Sequence, residues 1–177
     1  MPIAVGLLFI GIAVLMAALP NRDSEADSGN EQFSFAPLSV NYPAPDLSLE
    51  NIDGRTESLT DYQPNVILVN NWAIWCPPCK AEMPVLEGYY EDHAKEGFMI
   101  VAVEAGDARG PVSQFAQDYR LKFQVWLDPN TTSLKAFGNG NLPNSYVIDR
   151  HGTVRYAWTG QVNRPMLEKY VTPLLAE

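Results

Sequence analysis

Val66-Ile67-Leu68-Val69-Asn70-Asn71-Trp72-Ala73-Ile74-Trp75-Cys76-Pro77-Pro78-Cys79-Lys80-Ala81-Glu82-Met83-Pro84 joins three local signals in nineteen residues. Val66 to Val69 is a β-branched and leucine run of the kind buried on both faces of a sheet. Two cysteines follow at Cys-x-x-Cys spacing. Pro77 and Pro78 suit the first turn of a helix, where N–H groups lack intrahelical partners, and the segment to about Lys95 reads as that helix. Pro84 lies deeper and is expected to kink it, because a proline cannot donate to the Lys80 carbonyl. Strand, dithiol and helix in that order read as a redox motif.

The chemistry has a local cause. At the helix N-terminus, unpaired N–H groups and the helix dipole favour a thiolate at Cys76 and lower its pKa. Cys79, one turn on and more buried, is placed to attack a mixed disulfide formed at Cys76 and release a reduced substrate. A permanent staple is a poor alternative, since closing a four-residue loop restricts the unfolded chain little. A zinc site would need two more ligands, and the two histidines, His93 and His151, are far apart in the sequence. No metal and no cofactor is expected.

Working outward, Leu47-Ser48-Leu49 and Thr56 to Leu59 flank an Asp53-Gly54 turn signal and read as a short hairpin. Downstream, Phe98 to Val103 is another continuous apolar strand, Pro111 to Tyr119 is helical, and Val125 to Leu127 is a strand. A short helix near 134–137 and a Gly/Asn loop precede strands at Ser145 to Ile148 and Val154 to Trp158, joined by Asp149-Arg150-His151-Gly152. Met166 to Leu175 closes the chain as an amphipathic helix. This order predicts an α/β fold, a mixed sheet with helices on both faces in the thioredoxin-like arrangement.

The 177 residues carry 21 acidic and 12 basic side chains, a formal charge of −9. That balance argues against nucleic acid, which needs clustered Lys and Arg. Ile3 to Leu19 is uncharged and apolar throughout, about 26 Å of helix and within the range that spans a bilayer. With no basic residue before it and Met16-Ala17-Ala18 as a poor cleavage triplet, the stretch fits a retained anchor better than a cleaved signal. Arg22, alone on the C-terminal flank, weakly favours a cytoplasmic domain. Residues 21–41 are polar and acidic, then proline-bearing, and read as a tether and extended lead-in. The expected organisation is an anchor at 1–20, a tether at 21–41 and one globular domain at 42–177.

The stretch Val69 to Pro84 resembles the TlpA/ResA family of membrane-anchored, extracytoplasmic thiol–disulfide oxidoreductases, a redoxin-type branch of the thioredoxin superfamily. The resemblance continues through Ile100-Val101-Ala102-Val103 and Leu142-Pro143-Asn144-Ser145-Tyr146-Val147-Ile148-Asp149, and the Leu47 to Leu59 hairpin matches the family's N-terminal extension. It implies a cis peptide bond at Pro143 facing the cysteines, and a Leu142 backbone that pairs with an extended substrate strand. It also implies a role for Glu82, three residues after the second cysteine, as the carboxylate that accepts or returns a proton when Cys79 attacks. In many thioredoxins a buried Asp six residues before the first cysteine does this work. Asn70 stands there and cannot titrate, which strengthens the case for Glu82. Trp75 is expected to shield Cys76 and, with Pro77 and Pro78, to offer substrates an apolar surface, while Trp72 reads as packing. Two departures stand out: Asn71, where the family has a large apolar residue, and Asn144-Ser145, where Thr-Thr is common.

Strong oxidants of this fold carry a His between the cysteines, and Pro77-Pro78 supplies no such charge, so the expected direction is reduction of protein disulfides. The resemblance implies apocytochrome c or copper-site cysteines as substrates, a membrane-embedded electron donor, a lipid membrane met through residues 3–19, and a monomer. Disulfide chemistry puts the domain on the extracytoplasmic face of the cytoplasmic membrane, overruling Arg22. Two rivals remain. A thiol peroxidase would use a resolving cysteine elsewhere, and there is no third cysteine; a copper chaperone would call on a distant His, and neither His93 nor His151 adjoins Pro143.

Overall fold

A computed structural model describes residues 36–177. The anchor expected at 1–20 and most of the tether expected at 21–41 lie outside the described residues. Among the described residues no helix is long and apolar enough to cross a membrane.

The centre is β4 (Val66–Trp72), buried at every position. It runs parallel to β5 (Phe98–Glu104), which is parallel in turn to β6 (Gln124–Leu127), and antiparallel to β7 (Asn144–Ile148). β8 (Thr153–Thr159) pairs antiparallel with β7 through the Asp149 to Gly152 turn. On the far side, β2 (Ser48–Asn51) adds antiparallel to β6 and pairs with β3 (Thr56–Ser58). With β1 (Leu38–Pro43) on the outer edge of β8, the sheet order is β1-β8-β7-β4-β5-β6-β2-β3.

β1 corrects the boundary set at residue 42. The lead-in is extended as expected, but from Leu38 its backbone pairs with the open edge of β8, with a register shift between Ser39 and Tyr42. Pro43 is tolerated there because an edge strand has a side on which no donor is required.

Alternation along β4 divides the core. Val66, Leu68 and Trp72 face α1 (Pro77–His93), α2 (Arg109–Asp118), α4 (Arg164–Tyr170) and α5 (Thr172–Leu175), whose Met83, Phe115, Leu167 and Leu174 complete that layer. Ile67 and Val69 face the other way, towards Leu47, Leu59, Trp126 and Tyr146, with Phe137 beside α3 (Thr132–Ala136). The α1 assignment is unbroken through Pro84. The closing segment is two helices instead of one: Val171 ends α4, and Pro173, with no N–H to continue the ladder, opens α5.

Candidate active site

β4 ends at Trp72, and three residues later the chain enters α1 with Cys76 at the N-cap. The Cys76 N–H donates to the Ala73 carbonyl (3.1 Å) and the Lys80 N–H to the Cys76 carbonyl (3.2 Å), so the motif is a tight turn fused to the helix. Cys76 and Cys79 are joined as a disulfide with Cα atoms 5.3 Å apart. Both cysteines are buried, Cys79 at 0% and Cys76 at 4% exposure. Trp75 projects into solvent at 67% exposure beside the exposed Pro77 and Pro78. Trp72 is buried against Phe115, ring centroids 4.8 Å apart, as packing.

Asn144 pairs with Asn71 across β7 and β4, so Pro143 lies just past the end of β4 from which the cysteines depart. The Leu142–Pro143 peptide bond is cis. Leu142 packs against the apolar layer that contains both cysteines. The Pro143 carbonyl accepts from the Gly160 N–H (2.8 Å), whereas the Leu142 N–H and carbonyl have no backbone partner among the described residues. The same loop walls a surface cavity of about 500 Å³ lined by Leu38, Asn139, Asn141, Ala157, Trp158 and Thr159.

Glu82 does not face solvent. One turn after Cys79 on the inward face of α1, it is fully buried. Its Oε1 accepts from Asn70 Nδ2 and its Oε2 from the Val162 N–H, both at 2.8 Å. Burial outweighs these two donors and pushes its pKa up to about 8. Asn70 Nδ2 also donates to Ser145 Oγ (3.1 Å), and Asn70 Oδ1 has no partner among the described residues, so the site holds an amide with spare acceptor capacity beside a titrating carboxyl.

A second buried carboxyl escaped sequence reading. Glu104 ends β5 in register with Trp72 and is fully buried. Its Oε2 accepts from the Asp107 N–H (2.9 Å), which ties it to the loop that follows β5. Burial first, then Asp107, push its pKa up to about 8. The available signal was a glutamate closing an apolar strand immediately before Ala105-Gly106-Asp107. His93 pairs with Glu96 at the opposite end of α1, and His151 sits in the β7–β8 turn, so neither approaches the dithiol.

The AhpC/TSA family model matches residues 40–157, from β1 through β8. The ResA thiol–disulfide oxidoreductase of Geobacillus thermodenitrificans is 34% identical over 134 residues, 76% of this chain and 77% of its own length. The chain belongs to the AhpC/TSA family as a ResA-type thiol–disulfide oxidoreductase. The ResA protein of Bacillus subtilis strain 168 is 31% identical over 76% of this chain and 75% of its own length. Among solved structures, a thiol:disulfide interchange protein of the thioredoxin family from Chlorobium tepidum superposes with a TM-score of 0.69 at 25% identity, covering 78% of this chain and 99% of that one. A secreted thiol-disulfide isomerase from Corynebacterium glutamicum shares the fold at a TM-score of 0.75 and 20% identity, over 81% of this chain and 93% of its own. The thioredoxin-like fold and the oxidoreductase class expected from the Cys-x-x-Cys motif therefore hold.

Proposed function

We propose that this ResA-type oxidoreductase works as a reductant of protein disulfides on the extracytoplasmic face of the cytoplasmic membrane, held there by residues 3–19. The reduced Cys76 thiolate attacks a substrate disulfide; one Cys76–substrate S–S bond forms and the partner sulfur leaves as a thiolate. Cys79 then attacks the Cys76 sulfur, the substrate leaves as a dithiol carrying the two electrons, and the Cys76–Cys79 pair is left oxidised as a disulfide. Glu82 takes the proton that Cys79 must lose and returns it when the disulfide is re-reduced; a pKa of about 8 suits it to exchange near neutral pH. Leu142 presents backbone groups that have no backbone partner among the described residues to an extended segment of the substrate, and Trp75, Pro77 and Pro78 supply the apolar surface around the reacting sulfur.

The observation that carries the direction is the pair Pro77-Pro78 between the cysteines, which offers no charge to stabilise a reduced Cys76 thiolate beyond the helix end itself. Apocytochrome c or copper-site cysteines are the substrates this reading favours, with electrons from a membrane-embedded donor and the β2–β3 pair as the family's N-terminal extension. The test is the reduction potential of the Cys76–Cys79 couple. A value below about −200 mV fits a reductant, and one above about −150 mV contradicts it.

A further inference from the structure

Asn71 and Asn144, two polar residues in otherwise apolar surroundings, are each other's partners. They are opposed across β4 and β7, and Asn71 Nδ2 donates to Asn144 Oδ1 at 2.7 Å. Behind them, Ser133 Oγ donates to Asn71 Oδ1 at 2.6 Å. Ser133 is itself placed by Asp128, whose carboxylate receives the Thr132 and Ser133 N–H groups at the start of α3. In front, Asn144 Nδ2 donates to the carbonyls of Asn141 (2.6 Å) and Asn139 (3.3 Å). Asn71, Ser133 and Asn144 are all buried, at 1% exposure or less.

The chain of bonds has one direction. Backbone carbonyls only accept, so the Asn144 amide must turn its NH₂ to the loop and its oxygen to Asn71. That sets the Asn71 amide, whose remaining oxygen then requires a donor, and Ser133 supplies it. A second set of bonds holds the same loop from outside: Asn139 Nδ2 donates to Thr159 Oγ1 (2.9 Å), and Asn139 Oδ1 accepts from the Asn141 N–H (3.1 Å). The Asn141 and Pro143 carbonyls are thus both occupied, and Leu142 between them makes no backbone hydrogen bond among the described residues. An apolar side chain at position 71 would fill buried space without desolvating an amide. The polar chain instead ends on the two carbonyls that precede Leu142.

We propose that the Asn71–Asn144 amide pair, backed by Ser133, is a positioning device for substrate recognition: it holds loop 139–143 so that Leu142 is presented to an extended, disulfide-bearing polypeptide. It therefore governs the affinity for polypeptide disulfides and not the reactivity of the dithiol. This rests on the reading above in which Leu142 receives the substrate strand.

The test compares the full-length chain with Asn71→Leu and Asn144→Thr, using insulin as the polypeptide disulfide and glutathione disulfide as the small one, with dithiothreitol as the electron source. For each variant the KM for insulin rises about five- to tenfold with kcat within about twofold. The rate with glutathione disulfide changes less than about twofold and the potential of the couple is unmoved. The double variant is no worse than either single one, because both break the same chain of bonds. An unchanged insulin KM alongside a lowered Tm makes the pair a packing feature and overturns the proposal; equal slowing on insulin and glutathione disulfide also overturns it, by placing the effect on the dithiol. Ser133→Ala, which removes one hydroxyl, provides the same reading if the larger changes prevent folding: KM for insulin rises about twofold, and no change refutes the device. Failure of the reading beneath it has a separate signature, since the unaltered chain would then not reduce insulin at all.

Discussion

Asn70 and Asn71 are neighbours on one buried strand, yet they face opposite sides of the sheet and serve opposite ends of the site. Asn70 looks towards α1, where it meets Glu82 and Ser145 and keeps an oxygen with no partner among the described residues. Asn71 looks towards α3, where each of its polar atoms has a single partner that sets its orientation. The first environment contains a group that gains and loses a proton, so an under-satisfied amide beside it can serve both states. In the second, no titratable group bonds to the Asn71 amide among the described residues, so full satisfaction gives a fixed geometry. On the proposed reading, the difference separates proton handling from positioning, one face of the sheet for each.

Removing the titrating group should produce the largest effect on the Asn70 face. Glu82→Gln is expected to slow resolution of the mixed disulfide by about 100-fold, and to abolish the dependence of that step on a group near pH 8. Stability should move the other way. Glu82 has its folded pKa raised, so it stays protonated in the fold while the unfolded chain ionises; stability therefore falls as pH rises from about 4.5 towards about 8. In Glu82→Gln, Tm should decline less between pH 5 and pH 9 than in the unaltered chain. An unchanged pH profile would break the assignment of proton handling to this face.

Asn70→Asp sharpens the same contrast with a smaller effect. It places a second carboxyl at hydrogen-bond distance from Glu82, and like charges there disfavour double ionisation. The alkaline limb of the pH–rate profile is expected to move up by about one pH unit, with insulin KM unaltered. A change in KM without a shift of the profile would show that the two faces are not separate.

Glu104→Gln should have the smallest kinetic effect. Glu104 holds the loop after β5 through the Asp107 N–H and is raised to about 8, so its replacement should also flatten the decline of Tm between pH 5 and pH 9. Turnover should remain within about threefold, since the carboxyl acts through the backbone of Asp107. A loss as large as that of Glu82→Gln would make it a second proton carrier.

The elements nearest the cysteines were legible because their signals are local. An uninterrupted apolar run gives β4, and a proline pair after Cys76 gives the start of α1. β1 was harder to read, since an edge strand with three prolines nearby owes its form to the free side of β8, more than a hundred residues away. The break between α4 and α5 was available in Pro173, but the amphipathic spacing from Met166 onward masked it. Among site residues, Cys76 and Cys79 follow from their spacing at the start of one helix, and Glu82 from the family resemblance of the same stretch. The partners of Asn71 do not, because Ser133 and Asn144 arrive only through the sheet register and the placement of α3.

The division of labour between the two cysteines is tested most directly by trapping. With Cys79→Ser, the reduced protein should accumulate a stable mixed disulfide between Cys76 and its substrate, visible as a thiol-sensitive adduct and identifiable by mass. With Cys76→Ser, no such adduct should form, because the remaining thiol is fully buried. Accumulation of adducts on Cys76→Ser and not on Cys79→Ser would contradict the assignment of Cys76 as nucleophile and, with it, the account of how this site exchanges disulfides.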